Sequence, residues 1–420
     1  MVKANRHIHQ EPSKFLASIS DYKNLRHCFR TASICLSLIL FTFCAGDLQA
    51  HEISANRSHR LYADSLPMGI PLGLLQMPKL YHAPRALKPV IIDGNLSEQA
   101  WEKAPWSDRF LDIAGNSVLE HKRIDSTDRI LPTRVKMCWD DAYLYIAAEL
   151  TEPDLWATLK KRDTIIYQDN DFEVFFSPSA STFNYYELEI NQLGTVLDLL
   201  MTRPYRNGGQ ALIHWDLKGL KTAVKLHGTL NNVADKDSGW IVEMAIPFKG
   251  VLGFARPAPR IGSYWRINFS RVQWDVHPTA TGGYQRNTRK GKLLPEHNWV
   301  WSPQGIVNMH APDRWGYLFF VKDSTRKTAL PLIELQKAAL WKIYYAQQYT
   351  YAARQKFALT LSELNNVDSS IVLKDPANGK TERFILQMNA DKEWFRVCLM
   401  DPRGRELMAL DQSGFLSVLN

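Results

Sequence analysis

The 420-residue sequence predicts a mainly β protein: an antiparallel β-sandwich over residues 86–322 with a C-terminal α+β appendage over 323–420. Three observations predict it. Between residues 86 and 322 the apolar stretches are short, rich in aromatic and β-branched residues, and divided by Asn, Asp, Gly and Pro. No long helical period interrupts them, which argues for strands pairing with strands in two stacked layers. After Thr325 the period changes, and "ALPLIELQKAALWKIYYAQQYTYAARQKFALTLSELN" sets Leu332, Leu335, Ala339, Trp341 and Tyr345 at helical spacing.

At the N-terminus, six Lys/Arg against Glu11 and Asp21 accompany the apolar run "ASICLSLILFTFCAG" (Ala32–Gly46). A basic stretch, an apolar run and a small-x-small site at Cys44-Ala45-Gly46 follow the order of a secretory signal peptide. The run is shorter than the about 20 apolar residues of a comfortable membrane span. Residues 1–46 are therefore expected to direct export, to the periplasm, the cell envelope or the medium. An uncleaved N-terminal anchor is the alternative, and the sole expected membrane contact. Residues 47–85 contain "SLPMGIPLGLLQMPKLYHAPRALKP" and read as a Pro/Gly-rich linker.

Next comes "IIDGNLSEQAW" (91–101), in which Asp93-Gly94 is turn chemistry and Ser97-Glu98 opens one helical turn ahead of Trp101. "TRVKMCWDDAYLYIAAEL" alternates as a strand, turns at Asp140-Asp141 and returns as a second strand. "DNDFEVFFSP", "NYYELEINQLGTVLDLLM", "LKTAVKLHGTL", "GWIVEMAIPF" and "YWRINFSRVQW" continue in the same style, and "RWGYLFF" (Arg314–Phe320) closes the series. In the appendage, "RFILQMN", "WFRVCLMD" and "ELMAL" read as short strands after the helix.

Charge narrows the partners. The net charge is +8, of which residues 1–46 supply half, and the remainder shows no dense stripe of the kind a polyanion binder carries, so nucleic acid is not an expected partner. Three of the five cysteines lie in the leader. Cys138 and Cys398 remain, in no metal-binding spacing, and are either bridged after export or free and buried.

In order and spacing, "IDGNLSEQAW", "VKMCWDDAYLYIAAELTEPD", "DNDFEVFFSP", "YYELEINQLGTVLD", "GWIVEMAIPF", "WRINFSRVQ", "WSPQG" and "RWGYLFF" resemble the family 9 carbohydrate-binding modules and their relatives in exported bacterial proteins. The resemblance covers residues 86–320, more than half of the chain. It implies a β-sandwich that binds polysaccharide or oligosaccharide, sometimes beside a glycoside hydrolase, and makes a structural calcium plausible. In such a module Trp101 would plug one end of the sandwich.

A sugar ring offers a C–H face for a flat aromatic and a rim of hydroxyls for groups that make directed hydrogen bonds. The stacking candidates are Trp299 and Trp301 in "HNWVWSPQG", placed in a loop before the last strand, with Trp274 at a strand end and Trp139 ahead of the hairpin turn. For each, burial at a sandwich end is the competing reading. Alternation sets Asp169, Asp171 and Glu173 on one face of their strand, Glu187, Glu189 and Asn191 on the next, and Arg266, Asn268 and Ser270 on a third. Arg266, Asn268, Glu187 and Glu189 are the rim candidates; Asp169, Asp171 and Glu173 are the candidate calcium ligands. Like carboxylates on paired strands repel, so a counter-charge is expected, either calcium or one of Arg203, Arg206, Arg266 and Arg271. A solvated face with weak surface ion pairs is the bland alternative.

No catalytic residue is expected. The enzymatic alternative is a glycoside hydrolase working with two of these carboxylates. Met309-His310 does not make a haem pair, because adjacent residues on an extended segment point oppositely. A cell-envelope scaffold that binds no sugar is the third reading, and the long basic loop "YQRNTRKGKLLPEHN" suits either that or contact with acidic glycans.

Overall fold

A computed structural model describes residues 72–115, 130–253, 257–325, 328–364 and 367–419. The expected signal segment 1–46 and most of the expected linker lie outside the described residues. Among the described residues no helix is long and apolar enough to cross a membrane.

Strand β1 is Leu80–Ala83, helix α1 Gln99–Lys103, and β2 Leu111–Asp112. The hairpin read at Asp140-Asp141 is β3 (Thr133–Trp139) and β4 (Tyr143–Leu150). Then come β5 (Asp171–Ser177), β6 (Tyr185–Asn191), β7 (Val196–Met201), β8 (Ala211–Leu212), β9 (Lys221–His227), β10 (Gly239–Pro247) and β11 (Tyr264–Gln273). Two small hairpins follow, β12 (Val276–Pro278) with β13 (Tyr284–Arg286), and β14 (Thr288–Arg289) with β15 (Lys292–Leu293). The sandwich closes with β16 (His297–Val300) and β17 (Gly316–Phe320).

The larger sheet runs β1-β17-β11-β5-β6-β7-β8, and the smaller one β3-β4-β10-β9. Strand β11 is long enough to take two partners along one edge: its first half pairs with β17 and its second half with β16. Between the sheets, Phe172, Val174, Phe176, Leu188, Ile190, Ile267 and Phe269 meet Val135, Met137, Ile146, Val242, Met244 and Ile246. These alternate residues turn inward along their strands, as a two-layer core requires.

One boundary differs from expectation. Leu80–Ala83 belongs to the stretch read as linker, yet it pairs in parallel with β17 as the edge strand of the larger sheet. Four residues are too few to show alternation above the Pro/Gly background around them.

Trp101 does not plug a sandwich end. It packs with Ala86, Val90, Cys138, Tyr145, Ala147 and Ala245 on the outer face of the smaller sheet, sealed from solvent. Its indole Nε1 donates to Glu243 Oε1 at 2.8 Å, and Glu243 Oε2 accepts the backbone N–H groups of Asp93 and Gly94 at 2.9 and 2.8 Å. Gly94 holds φ +83° beside Lys225. The Asp-Gly turn and the short helix exist to bring three donors onto one buried carboxylate.

The appendage is helix α2 (Leu332–Arg354) laid on an antiparallel meander of β18 (Ser370–Lys374), β19 (Thr381–Ala390), β20 (Phe395–Met400), β21 (Glu406–Asp411) and β22 (Leu416–Val418). Leu340, Ile343 and Tyr344 pack on Phe384, Phe395, Val397, Leu399 and Leu410. The other side of α2 faces the sandwich, where Glu334 accepts the hydroxyls of Tyr264 and Tyr317 at 2.8 and 3.0 Å, and Tyr345 donates to Asp313 at 2.6 Å. Covered on both sides, the helix has no single apolar stripe.

Candidate functional site

The outer face of the larger sheet carries the chemistry. With Phe172, Val174 and Phe176 turned into the core, Asp171 and Glu173 of β5 turn out; with Leu188 and Ile190 inward, Glu187, Glu189 and Asn191 of β6 turn out. The register sets Glu173 opposite Glu189 on one side and Ser270 on the other, and Asp171 opposite Asn191. All four carboxylates are buried, so the bland expectation of a solvated face does not hold.

Asp171, Glu173 and Glu189 each offer a carboxylate oxygen within 4.8 Å of the other two. Neither oxygen of Asp171, nor Oε2 of Glu173, meets a donor in hydrogen-bonding geometry. Glu189 accepts the Tyr167 N–H at 2.8 Å, and Glu187 stands 3.8 Å from His310 Nε2. Burial, and then the like charge of the neighbours, pushes Asp171, Glu173 and Glu187 well above the ordinary carboxylate range. Burial raises Glu189 to about 7, held there by the donors it does have.

Three of the four arginines expected to neutralise this face are engaged elsewhere. Arg266 donates to the carbonyls of Pro312 and Asp313 and lies 3.9 Å from Glu334. Arg206 pairs with Asp313 at 2.6 Å, and Arg271, on the core side of its strand, pairs with Glu152 at 2.9 Å. A second acidic trio, Asp163, Asp198 and Asp216, is equally tight, but Arg162 pairs with all three. One cluster contains its cation; the other has no ion-paired Arg or Lys among the described residues.

Asp169 is not a free ligand. It accepts the N–H groups of Thr158 and Leu159, the Thr158 hydroxyl and the Asn191 amide, which saturates it as a loop clasp. Glu189 takes its place in the candidate cation set, because pairing of β5 with β6 supplies the third carboxylate from across the ladder rather than along the strand.

The expected stacking platform is corrected. Trp139, Trp299, Trp301 and Trp274 are only 1, 4, 2 and 7% exposed. Trp299 sits in β16 rather than a loop, so it and Trp301 do project to one side, but that side is the sandwich core. Gly316 lies against the Trp301 ring, where a Cβ would stand 2.3 Å from it. Trp139 donates Nε1 to the Val321 carbonyl, and its ring meets Phe320 edge-on. Trp274 closes on Trp156 and Tyr167, and Arg286 covers its face with the guanidinium 4.5 Å from the ring centre.

The rim is corrected too. Asn268 exchanges two hydrogen bonds with the backbone of Ser302 and so pins the turn after β16, while Arg266 serves the junction with the appendage. Glu187 and Glu189 remain on the acidic face, closed to solvent. Residues not singled out from sequence complete that face: Tyr185 bonds His310 Nδ1 at 2.9 Å, and the Tyr205 ring lies 4.5 Å from the His310 ring. Tyr185 lies on β6 in period with Glu187, whereas Tyr205 and His310 come from segments outside the strands that no periodicity marks.

Fold and face together define a β-sandwich module with a buried acidic centre. Residues 92–270 match the family model of the carbohydrate family 9 binding domain-like proteins, and that stretch is a family 9 carbohydrate-binding-module-like domain. Over 116 residues, 28% of the chain, the sequence is 30% identical to exoglucanase XynX of Acetivibrio thermocellus, and the match spans 9% of that protein's length. A candidate carbohydrate-binding protein of Bacteroides uniformis is similar over 58% of this chain and 99% of its own, at 16% identity and a TM-score of 0.42. A family 9 module of Caldicellulosiruptor kristjanssonii, solved with cellotriose, is similar over 60% of this chain and 98% of its own, at 16% identity and a TM-score of 0.35.

Proposed function

We propose that the protein is an exported carbohydrate-binding protein whose family 9-like sandwich recognises a polysaccharide or oligosaccharide without cleaving it. The match of residues 92–270 to the family model carries this reading. A glycosidase needs a carboxylate pair flanking an accessible scissile bond, whereas Asp171, Glu173, Glu187 and Glu189 are sealed beneath the covering segments. The test is affinity electrophoresis of the full chain through gels containing soluble polysaccharides, alongside an assay of released reducing sugar. Retardation without release supports binding; release of reducing sugar overturns it.

Within that reading, the acidic centre holds a calcium ion. Calcium takes six to eight oxygen ligands, and Asp171, Glu173 and Glu189 converge, with both Asp171 oxygens and Glu173 Oε2 lacking a donor among the described residues. When bound, the ion supplies charge neutralisation. The chain's own part is to fix three carboxylates on two paired strands and exclude water from them. Isothermal titration with calcium, on wild type and on Glu173→Gln, tests this: the wild type binds and the variant does not.

A further inference from the structure

We infer that the β12–β15 arm is an anionic-glycan contact surface, a reading that rests on the proposed carbohydrate binding and names the class of glycan. The chain's net charge is +8, and residues 1–46 account for half of it. Residues 276–295 account for the other half, with Arg286, Arg289, Lys290 and Lys292 and no Asp or Glu. Asp275 and Glu296 bound this segment, so its four cations lie on the hairpins between two flanking acids.

The arm is rooted and its tip is bare. At the root, the Tyr284 hydroxyl donates to Asp154 and to the Asn232 carbonyl, and Arg286 lies over Trp274. The acids at the root are Asp154, Asp235, Asp237, Asp275 and Glu296; Lys236 pairs with Asp154, and His297 lies 3.1 Å from Asp275. Beyond Arg286, every residue from Thr288 to Leu293 is exposed. No ion pair reaches Arg289, Lys290 or Lys292 among the described residues.

The tip holds its charge against local preference. Arg289 stands directly opposite Lys292 in the β14–β15 ladder, a like-charge pair that disfavours the hairpin. Lys290 and Gly291 form the turn with φ of +53° and +72°, where Asn-Gly is the favoured chemistry and lysine is not. Three cations packed onto a two-residue turn, at some expense to the turn, fit a partner with repeated negative charge. The tip offers no aromatic ring on which a nucleobase would stack. On a carbohydrate-binding domain the fitting partner is a polysaccharide bearing carboxylates along its chain.

The experiment is affinity electrophoresis of the full chain and of the triple variant Arg289→Gln/Lys290→Gln/Lys292→Gln through gels holding polygalacturonate, a panel of neutral polysaccharides, or single-stranded oligonucleotide. A matching thermal melt of the exposed-tip variant checks its fold. Expected is retardation by polygalacturonate that falls roughly tenfold in the variant and weakens with salt, with less retardation by oligonucleotide. Equal retardation of the variant by polygalacturonate overturns the inference, as does oligonucleotide retardation equal to or above that by polygalacturonate. Retardation by neutral gels alone overturns the arm and leaves carbohydrate binding standing; retardation by none overturns both.

Discussion

Glu173 on β5 stands directly across the ladder from Glu189 on β6, and both carboxylates are closed to solvent. Two buried like charges at that position are costly when ionised, and among the described residues no arginine forms an ion pair with them.

A pH dependence follows. Burial and mutual repulsion raise Asp171, Glu173 and Glu187 above their unfolded values and bring Glu189 to about 7. A carboxyl raised on folding contributes stability that is full below its unfolded pKa and is lost as pH rises through the folded one. In chelator, Tm is therefore expected to fall between about pH 4 and above 7. Added calcium raises it at pH 8 and has little effect at pH 5, where protons occupy the same oxygens. Glu173→Gln flattens the chelator profile and removes the calcium response. Thermal melts at four pH values, with and without calcium, check all three outcomes.

The Trp101–Glu243 contact yields a second expectation. Trp101→Phe keeps most of the packing and leaves Glu243 Oε1 without its donor, a loss of about 1–3 kcal/mol. Glu243→Gln turns an amide donor toward Asp93 or Gly94 and destabilises by a similar amount. Because the two act through one contact, the double variant loses less than the sum of the singles. Urea melts of the three variants close that cycle.

The junction with the appendage is set by Glu334, which accepts from Tyr264, Tyr317 and Lys337 while buried. Glu334→Ala leaves Arg266 without its nearest carboxylate and is expected to cost about 3–5 kcal/mol. Limited proteolysis is expected to cut the variant between the sandwich and α2 faster than the wild type.

Trp299→Ala and Trp301→Ala test packing rather than sugar contact. Both rings fill the sandwich core, so each variant is expected to lose about 3–5 kcal/mol, with binding and fold failing together. A variant that keeps its melting temperature and loses glycan binding would contradict the placement of that ring.

Much of the fold was legible because the strands alternate and α2 keeps helical spacing. The acidic face was legible as residue types on three strands, since period-2 arithmetic alone separates Glu173 from Val174. Its burial was not, because Tyr167, Trp274 and His310 cover it from distant segments. The tryptophan pair shows the limit of spacing: residues two apart share a side, but which side is core depends on the pairing of β16 with β11. Likewise Trp101 announced itself as an anchor, while its partner Glu243 lies across the smaller sheet, 142 residues along the chain.

A glycan array probed with the folded, calcium-saturated full chain reads carbohydrate binding by this sandwich. A discrete set of bound glycans, with no reducing sugar released, is expected. A chain that melts cooperatively under the same conditions and binds none of the arrayed glycans would contradict it.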